Sequence, residues 1–337
     1  MSHPPLQERL IAILRSFPDR KLLIVGDTIA DRFLYGSISR VSREAPVFIL
    51  RHEQTETVPG GAANCAVNLA SLGARVSLLS VAGNDEAGAT LKHKLQQAGV
   101  DVSGLQLSDT SQTTTKVRIL AGQAHSSRQQ VIRIDYEDEP LTDSGLRSLL
   151  LDHLQRELMD VDAVVISDYN YGLVDEAAVS MIRDSTASRP IPVLVDSRFR
   201  LSSFPGFTSA TPNEDEVEQL IGRRLLSKEE LESAALELKQ QLNYQALLVT
   251  RGGQGMMLLE DGDAPLHVKA VGAAQPVDVT GAGDTVIATF ALALSSGAAF
   301  SEAAHLANYA GGLVVMKRGT ASITAAELEH SILNSET

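Results

Sequence analysis

Asp278-Val-Thr-Gly-Ala-Gly-Asp284 runs directly into Thr285-Val-Ile-Ala-Thr-Phe-Ala-Leu-Ala-Leu294, a stretch without a single charge. Gly281, Ala282 and Gly283 leave backbone N–H groups accessible where a helix begins, and unpaired amides together with the helix dipole favour an anion there. Asp284 lies in the same turn. Its carboxylate could accept a proton from an attacking hydroxyl while the amides hold a transferring phosphoryl group. The structural alternative is a tight turn with an acidic helix cap. The uncharged run from Thr285 to Ser301 is diluted by Thr, Ser and Gly and sits at the margin of bilayer-spanning length, roughly 17–25 residues. It reads as a buried helix.

Upstream of this turn, short apolar runs recur at Leu22–Val25, Val76–Ala82, Ala163–Ile166, Val193–Val195 and Leu247–Thr250. Helical patterns lie between most of them: Ala62–Ser71, Glu86–Ala98, Gly145–Met159, Asp175–Thr186 and Lys228–Gln241, with Asp284–Leu294 and Ser301–Met316 following. Continuous apolar strands alternating with helices predict an α/β fold with a mainly parallel sheet covered on both faces. Two segments, 34–58 and 105–136, contain no helical pattern. The second reads as a hairpin, Thr115-Lys-Val-Arg-Ile-Leu and Val131-Ile-Arg-Ile-Asp on either side of a polar loop. A small β element inserted there could form a lid over a site at the carboxyl ends of the strands, or an ordinary surface hairpin. Without repeats or an obvious linker, residues 1–337 are expected to form one domain with this excursion.

The composition removes whole classes of function. The chain has 337 residues, 44% hydrophobic and 21% charged, enough for a large core. With 29 basic against 42 acidic side chains the formal charge is −13, so no overall basic field attracts nucleic acid or an anionic membrane. The single cysteine, Cys65, cannot form an internal disulfide or a thiolate cluster, which fits a reducing, cytoplasmic setting. Glu8, Arg9 and Arg15 interrupt the N-terminal stretch, which reads as an amphipathic helix instead of a signal peptide. No Gly-Lys dipeptide, G-x-G-x-x-G, His-Glu-x-x-His or Cys-x-x-Cys occurs. P-loop ATPases, the usual Rossmann dehydrogenases and zincins are therefore excluded.

Other candidate segments carry weaker signals. Gly60 and Gly61 in Pro59-Gly-Gly-Ala-Ala-Asn64 permit close approach of a ligand, and Asn64 offers a donor and an acceptor to a polyhydroxylated one. Asp27 and Asp31 follow the first strand, where paired carboxylates suit sugar hydroxyls. In Thr211-Pro-Asn213-Glu-Asp-Glu216 the acidic side chains either complement a helix dipole or organise Mg²⁺ through water. Thr250-Arg-Gly252-Gly253-Gln-Gly255 could line a nucleotide phosphate or form a plain hairpin. The eight histidines have no ligand spacing.

Together, in this order, Gly60–Asn64, Asn213–Glu216, Thr250–Gly255, Asp278–Asp284 and Ala307-Asn308 with Ala310-Gly311 resemble the ribokinase-like sugar kinases, also called the phosphofructokinase-B family. Val25-Gly-Asp-Thr-Ile-Ala-Asp31, Ser39-Arg-Val-Ser-Arg-Glu-Ala-Pro-Val47, Thr114–Leu120, Ile132–Asp135 and Ser167-Asp168-Tyr169 are similar to the kinase half of bifunctional ADP-heptose synthases. The resemblance implies a Rossmann-like ribokinase fold with a small β-sheet lid that contributes to a homodimer. It implies ATP near Asn213, Glu216, Thr250, Gly252, Gly253, Gly255 and Asn308, with Mg²⁺ organised through Glu216 and room for a monovalent cation. Sugar would be held by Asp27, Asp31, Gly60, Gly61, Asn64 and Asp168, and a substrate phosphate by Lys116, Arg118 and Arg133. Asp284 would be the base, with Gly281, Ala282 and Gly283 as the anion cradle.

The implied reaction is ATP-dependent phosphorylation of the anomeric hydroxyl of D-glycero-D-manno-heptose 7-phosphate, on the route to lipopolysaccharide heptose. The length accommodates the kinase alone, so a stand-alone kinase is expected. Two departures stand out: Tyr171 where the resemblance calls for lysine, and Ser197-Arg198 where it calls for Pro-Lys. They leave open a kinase for another sugar or nucleoside, and a catalytically silent sugar sensor on the same fold. An unperturbed aspartate, pKa about 3.9, would take the proton only as the bond to phosphorus forms.

Overall fold

Leu22-Leu-Ile-Val25 is buried throughout, with Leu22 and Ile24 packing into one apolar cluster and Leu23 and Val25 into a second. Successive strand residues point to opposite faces, so an unbroken apolar run belongs to a sheet covered on both sides. The computed structural model describes residues 5–122, 128–138, 143–272 and 275–334.

In chain order the first half contains α1 (Leu6–Leu14), β1 (Lys21–Gly26), β2 (Thr28–Val41), β3 (Phe48–Gly61), α2 (Ala62–Ser71), β4 (Arg75–Gly83), α3 (Glu86–Gln97), β5 (Leu105–Ser108), β6 (Thr115–Gly122) and β7 (Gln129–Tyr136). There follow α4 (Ser144–Glu157), β8 (Ala163–Asp168), α5 (Glu176–Ser188), β9 (Val193–Ser197), β10 (Ser209–Ala210), α6 (Glu214–Ile221) and α7 (Lys228–Leu242). The chain closes with β11 (Ala246–Thr250), β12 (Met256–Glu260), β13 (Leu266–Val268), α8 (Ala282–Ser295), α9 (Phe300–Val314) and α10 (Ala325–Leu333).

Among the described residues nine strands form one sheet in the order β13-β12-β11-β10-β9-β8-β1-β4-β5, parallel from β11 to β5 and antiparallel at the β12 and β13 edge. Helices α1, α2, α3, α8, α9 and α10 cover one face and α4, α5, α6 and α7 the other. The uncharged helix predicted from Asp284 is central: every α8 residue from Asp284 to Ala293 is buried. Polar or acidic caps fix several helix starts. Asp85, Asp143, Asp175 and Ser227 each accept backbone N–H groups of the following turn.

A second, four-stranded sheet, β3-β2-β6-β7, leaves the main body between β1 and α2 and again after β5. The boundaries expected from sequence shift at both excursions. β5 pairs in parallel with β4, because Leu105 packs into the main core, so residues 105–108 belong to the large sheet. The segment expected at 34–58 widens: Thr28 pairs with Gly61, so the excursion starts directly at the carboxyl end of β1 and returns directly into α2. Register then sets which side chains share a face. Asp31 lies opposite Lys116, Phe33 opposite Arg118, and Arg118 opposite Arg133.

Candidate active site

Helix α8 opens at Gly281, which adopts a left-handed conformation (φ 77°) with no side-chain cap. A Cβ there would meet Asn64 Nδ2 at 2.5 Å, so only glycine fits. Ala282 N–H donates to Val279 O and Thr285 N–H to Gly281 O. The intervening N–H groups of Gly283 and Asp284 lie in the first turn, where a helix offers no internal partner. Asp278 holds the approach to this turn, its two oxygens accepting Thr280 N–H (3.0 Å) and Gly319 N–H (2.9 Å).

The Asp284 side chain is 5% exposed and both its oxygens are engaged. Asn64 Nδ2 donates to Oδ2 at 2.7 Å and the Tyr169 hydroxyl to Oδ1 at 3.3 Å. Burial pushes its pKa up to about 7, with the Asn64 and Tyr169 hydrogen bonds pulling the other way. This corrects the expectation of an unperturbed aspartate. A carboxylate poised near neutrality is a more effective general base than one at 3.9.

Asp284 faces a cavity of about 500 Å³. Its walls come from the carboxyl ends of the parallel strands: Asp168 ends β8, Asp196 nearly ends β9, Thr211 follows β10 and Thr250 ends β11. Ligands in open α/β sheets bind at this edge. The small sheet supplies Asp31, Lys116, Arg118 and Arg133, and Gly61 and Gly281 complete the wall beside α8.

Within this cavity the predicted residues have distinct surroundings. Asp31 accepts both Arg118 Nε (3.2 Å) and Nη2 (3.1 Å) through one oxygen, while its other oxygen lies 2.4 Å from where a Cβ on Gly60 would sit. Arg133 lines the cavity and is also paired with Asp135 on its own strand at 2.8 Å. Asp168 is held by Ser197 Oγ (2.6 Å) and by Arg200, which makes it a buried wall residue. Among the described residues Lys116 and Arg198 have no carboxylate within ion-pair distance. Burial and the Arg198 charge hold the Lys116 ammonium below its usual range.

Three predicted sugar ligands are placed differently. Gly60 is not in the wall; it lies in β3 opposite Ile29, against the Asp31 carboxylate. Asp27 does not line this cavity. Its buried carboxylate accepts Tyr169 N–H (2.8 Å) and Tyr171 N–H (3.2 Å), pinning the loop after β8, and burial raises its pKa to about 6 against those hydrogen bonds. Asn64, also absent from the wall, spends its amide on Asp284 and, at 3.4 Å, on Gly281 O. Tyr171 contacts Glu137 and lines a separate small cavity with Asp27, so the substitution there lies outside the main site, whereas Arg198 keeps a cation inside it.

Asp196 and Tyr169 acquire site roles only in the fold. Burial and the charges of Asp284 and Glu216 raise the Asp196 carboxyl well above its usual range. Tyr169 was visible only as part of Ser167-Asp-Tyr, with nothing local to mark its hydroxyl as a partner of Asp284.

A second cavity of about 440 Å³ is lined by Gly252, Gly253, Gly255, Met256, Val286 and Asn308 among others, and shares Thr250, Val279 and Gly283 with the first. The two therefore meet at the glycine turn. Thr250-Arg-Gly-Gly-Gln-Gly255 is the β11–β12 hairpin, so its glycines serve both the turn and the cavity. Asn308 Nδ2 donates to Lys269 O at 2.7 Å. Asn213 and Glu216 form a reciprocal capping box at the start of α6, Asn213 Oδ1 accepting Glu216 N–H and Glu216 Oε2 accepting Asn213 N–H. Both line the first cavity, and the other Glu216 oxygen is not used by the box.

Comparisons with known proteins bear on the family and the fold. The chain is 41% identical over 317 residues to the bifunctional protein HldE of Pseudomonas aeruginosa, covering 94% of this chain and 64% of the relative. It is 40% identical over 323 residues to the bifunctional protein HldE of Hahella chejuensis, covering 95% and 65%. It thus spans just under two-thirds of the length of these curated relatives.

Among solved structures it superposes on Arabidopsis thaliana ribokinase complexed with ribose and ATP with a TM-score of 0.73 at 21% identity, covering 94% and 99% of the two chains. Phosphofructokinase-2 from Escherichia coli in complex with substrates and products gives a TM-score of 0.75 at 19% identity, covering 93% and 98%. These two matches concern the fold alone. Residues 19–326 match the sequence model of the pfkB family carbohydrate kinases, and the chain belongs to that family.

Proposed function

We propose that this carbohydrate kinase transfers the γ-phosphoryl group of ATP to the anomeric hydroxyl of a sugar phosphate, D-glycero-D-manno-heptose 7-phosphate. The observation that carries the phosphorylated substrate is the pair Lys116 and Arg198. Neither cation is in an ion pair among the described residues; Asp31, Asp135 and Glu137 act on Lys116, and Asp196 and Glu216 on Arg198, only from farther away, and the two cations repel each other in the wall of the cavity that Asp284 faces. Such a pair fits a dianion, which charge-assisted donors on two sides would hold. Arg118, fixed by Asp31, and Arg133 extend the same surface.

ATP would occupy the second, more apolar cavity, with its transferred group over Gly281–Asp284. Phosphoryl transfer needs alignment and charge neutralisation more than covalent chemistry. Asp284 would take the hydroxyl proton, and the Gly283 and Asp284 amides would stabilise the equatorial oxygens. Asp196 and Glu216, which face the same cavity, are the carboxylates that would hold a divalent cation. Mg²⁺ held there would neutralise phosphate charge. The small sheet would act as the lid, and the exposed apolar side chains Val131, Ile132, Ile134 and Tyr136 on edge strand β7 support a homodimer through it.

A coupled ADP-release assay across a panel of sugars and sugar phosphates tests this reading. The highest kcat/KM is expected for the heptose 7-phosphate. Arg198→Ala should raise the KM for it about 10–100-fold, as for the loss of a charge-assisted hydrogen bond, while the KM for ATP changes little. Equal use of phosphorylated and unphosphorylated sugars would refute a phosphate site here. No turnover across the panel would favour a sensor.

A further inference from the structure

We infer that Asn68, a buried residue in the middle of α2 that does not line the cavity, is a positioning residue that fixes the amide of Asn64 so that its NH₂ faces Asp284. The inference rests on Asp284 acting as the base. It starts from an acceptor whose identity is unambiguous. Asn68 Nδ2 lies 3.0 Å from the backbone carbonyl of Asn64, and a carbonyl oxygen can only accept, so the NH₂ of Asn68 points toward Asn64.

The Asn68 carbonyl is turned the opposite way, where the Thr285 hydroxyl donates to it at 2.9 Å. The same NH₂ also lies 3.1 Å from the side chain of Asn64. Asn64 must present Oδ1 there. Its own NH₂ is thereby directed to Asp284 Oδ2 at 2.7 Å and to Gly281 O at 3.4 Å. Thr285, Asn68 and Asn64 form a chain of buried donors that ends on the base. Asn64, Asn68 and Thr285 are 2%, 0% and 0% exposed, so water does not compete for these groups.

The chain has a chemical purpose. Without the Asn68 donor, only the long contact to Gly281 O still sets the Asn64 amide, and rotation that places its carbonyl against the Asp284 carboxylate becomes easier. That arrangement favours the protonated acid, which cannot accept a proton from the sugar. Tyr169 from the loop after β8, Asp31 from β2, Lys116 from β6, Asp196 from β9 and Cys65 from α2 also surround Asp284, and none of them is altered in the variants below.

The test compares kcat/KM and its acid limb for wild type, Asn68→Leu, Asn64→Ala, the double variant and Asp284→Asn. Asn68→Leu should lower kcat/KM about tenfold and move the acid limb upward by about one pH unit, as expected for a weakened hydrogen bond to a charged group. In the Asn64→Ala background the same substitution should add almost nothing, because Asn68 acts only through Asn64. An unmoved acid limb, or full additivity in the double variant, would overturn the inference. Should Asn68→Leu fail to fold, Thr285→Val decides. It removes, at nearly constant shape, the hydroxyl that donates to the Asn68 carbonyl and lies 3.3 Å from Gly281 O, so it loosens the chain from its far end, and an unchanged limb there would overturn the inference equally. Asp284→Asn separates the two levels. Near wild-type turnover in that variant refutes the base assignment, whereas its loss alongside unaffected Asn68 and Thr285 variants refutes only the relay.

Discussion

Asp284→Asn should inactivate the enzyme and, at alkaline pH, make it more stable. The isosteric amide cannot take the hydroxyl proton, so kcat should fall on the order of 10²–10⁴ while ATP still binds. The stability effect follows from the site. A carboxyl whose pKa is about 7 in the folded chain and 3.8 when exposed is one whose ionised form the fold disfavours. For such an acid the penalty is absent well below pH 4, grows as pH rises, and is complete above pH 7. Its full size is on the order of 4 kcal/mol, with roughly 1.5 kcal/mol already present at pH 5.

The amide carries no such penalty; its carbonyl can still accept from Asn64, but its NH₂ then faces the buried Tyr169 hydroxyl, whose O–H loses its acceptor at a cost of about 1–3 kcal/mol. The net expectation is near zero at pH 5 and about 1–3 kcal/mol of stabilisation at pH 8. With an unfolding entropy of roughly 2.1 cal/mol/K per residue, the chain of 337 residues shifts about 1.4 °C per kcal/mol. Thermal unfolding without ligands should therefore show the Tm difference, variant minus wild type, rising by about 4 °C from pH 5 to pH 8. A difference that stays flat with pH, or that falls, would show that burial does not raise this carboxyl. Turnover within tenfold of wild type would show that Asp284 is not the base.

Gly281→Ala should cost at least about 10² in kcat, the scale for losing an oxyanion donor. Its Cβ displaces Asn64 and its φ of 77° disfavours any side chain, so both cradle and base are disturbed. ATP binding measured by calorimetry should weaken as well, and a variant with normal kcat would contradict the cradle. Asp27→Asn keeps an acceptor for the Tyr169 and Tyr171 amides and should leave the KM for sugar within about threefold. Asp27→Ala strands both amides and should lower Tm by about 3–8 °C, at 1–3 kcal/mol per buried donor. A large KM increase in Asp27→Asn at unchanged Tm would return Asp27 to the sugar site.

Much of the scaffold was legible because its signals are local. Helix α2 occupies Ala62–Ser71 as read from the glycine pair before it and the Ala-rich run within it. β1 and β8 are apolar on both faces because both faces are covered. The edges of the excursions were less legible. β5 has only four residues, and whether Leu105 joins the large sheet depends on β4, which local pattern does not encode. Similarly, Asn213–Glu216 carries one pattern with two uses, and the capping box and the cavity wall occur together.

What the sequence alone determined is the order of strands and helices, the glycine turn before α8, and the placing of Asp284 within that turn. Each depends on residues adjacent in the chain, where backbone geometry and side-chain period act directly. Only the tertiary structure decided what surrounds Asp284. Asn64 is 220 residues away and Tyr169 is 115, and burial under α2 and the β8 loop raises the carboxyl from an ordinary aspartate to one poised near pH 7. Desolvation is a property of the packed interior and has no local signature. For the same reason Asp27, which reads beside Asp31 as half of a carboxylate pair, holds the Tyr169 and Tyr171 amides while Asp31 holds Arg118: the two have the same chemistry, and only the fold gives them different partners.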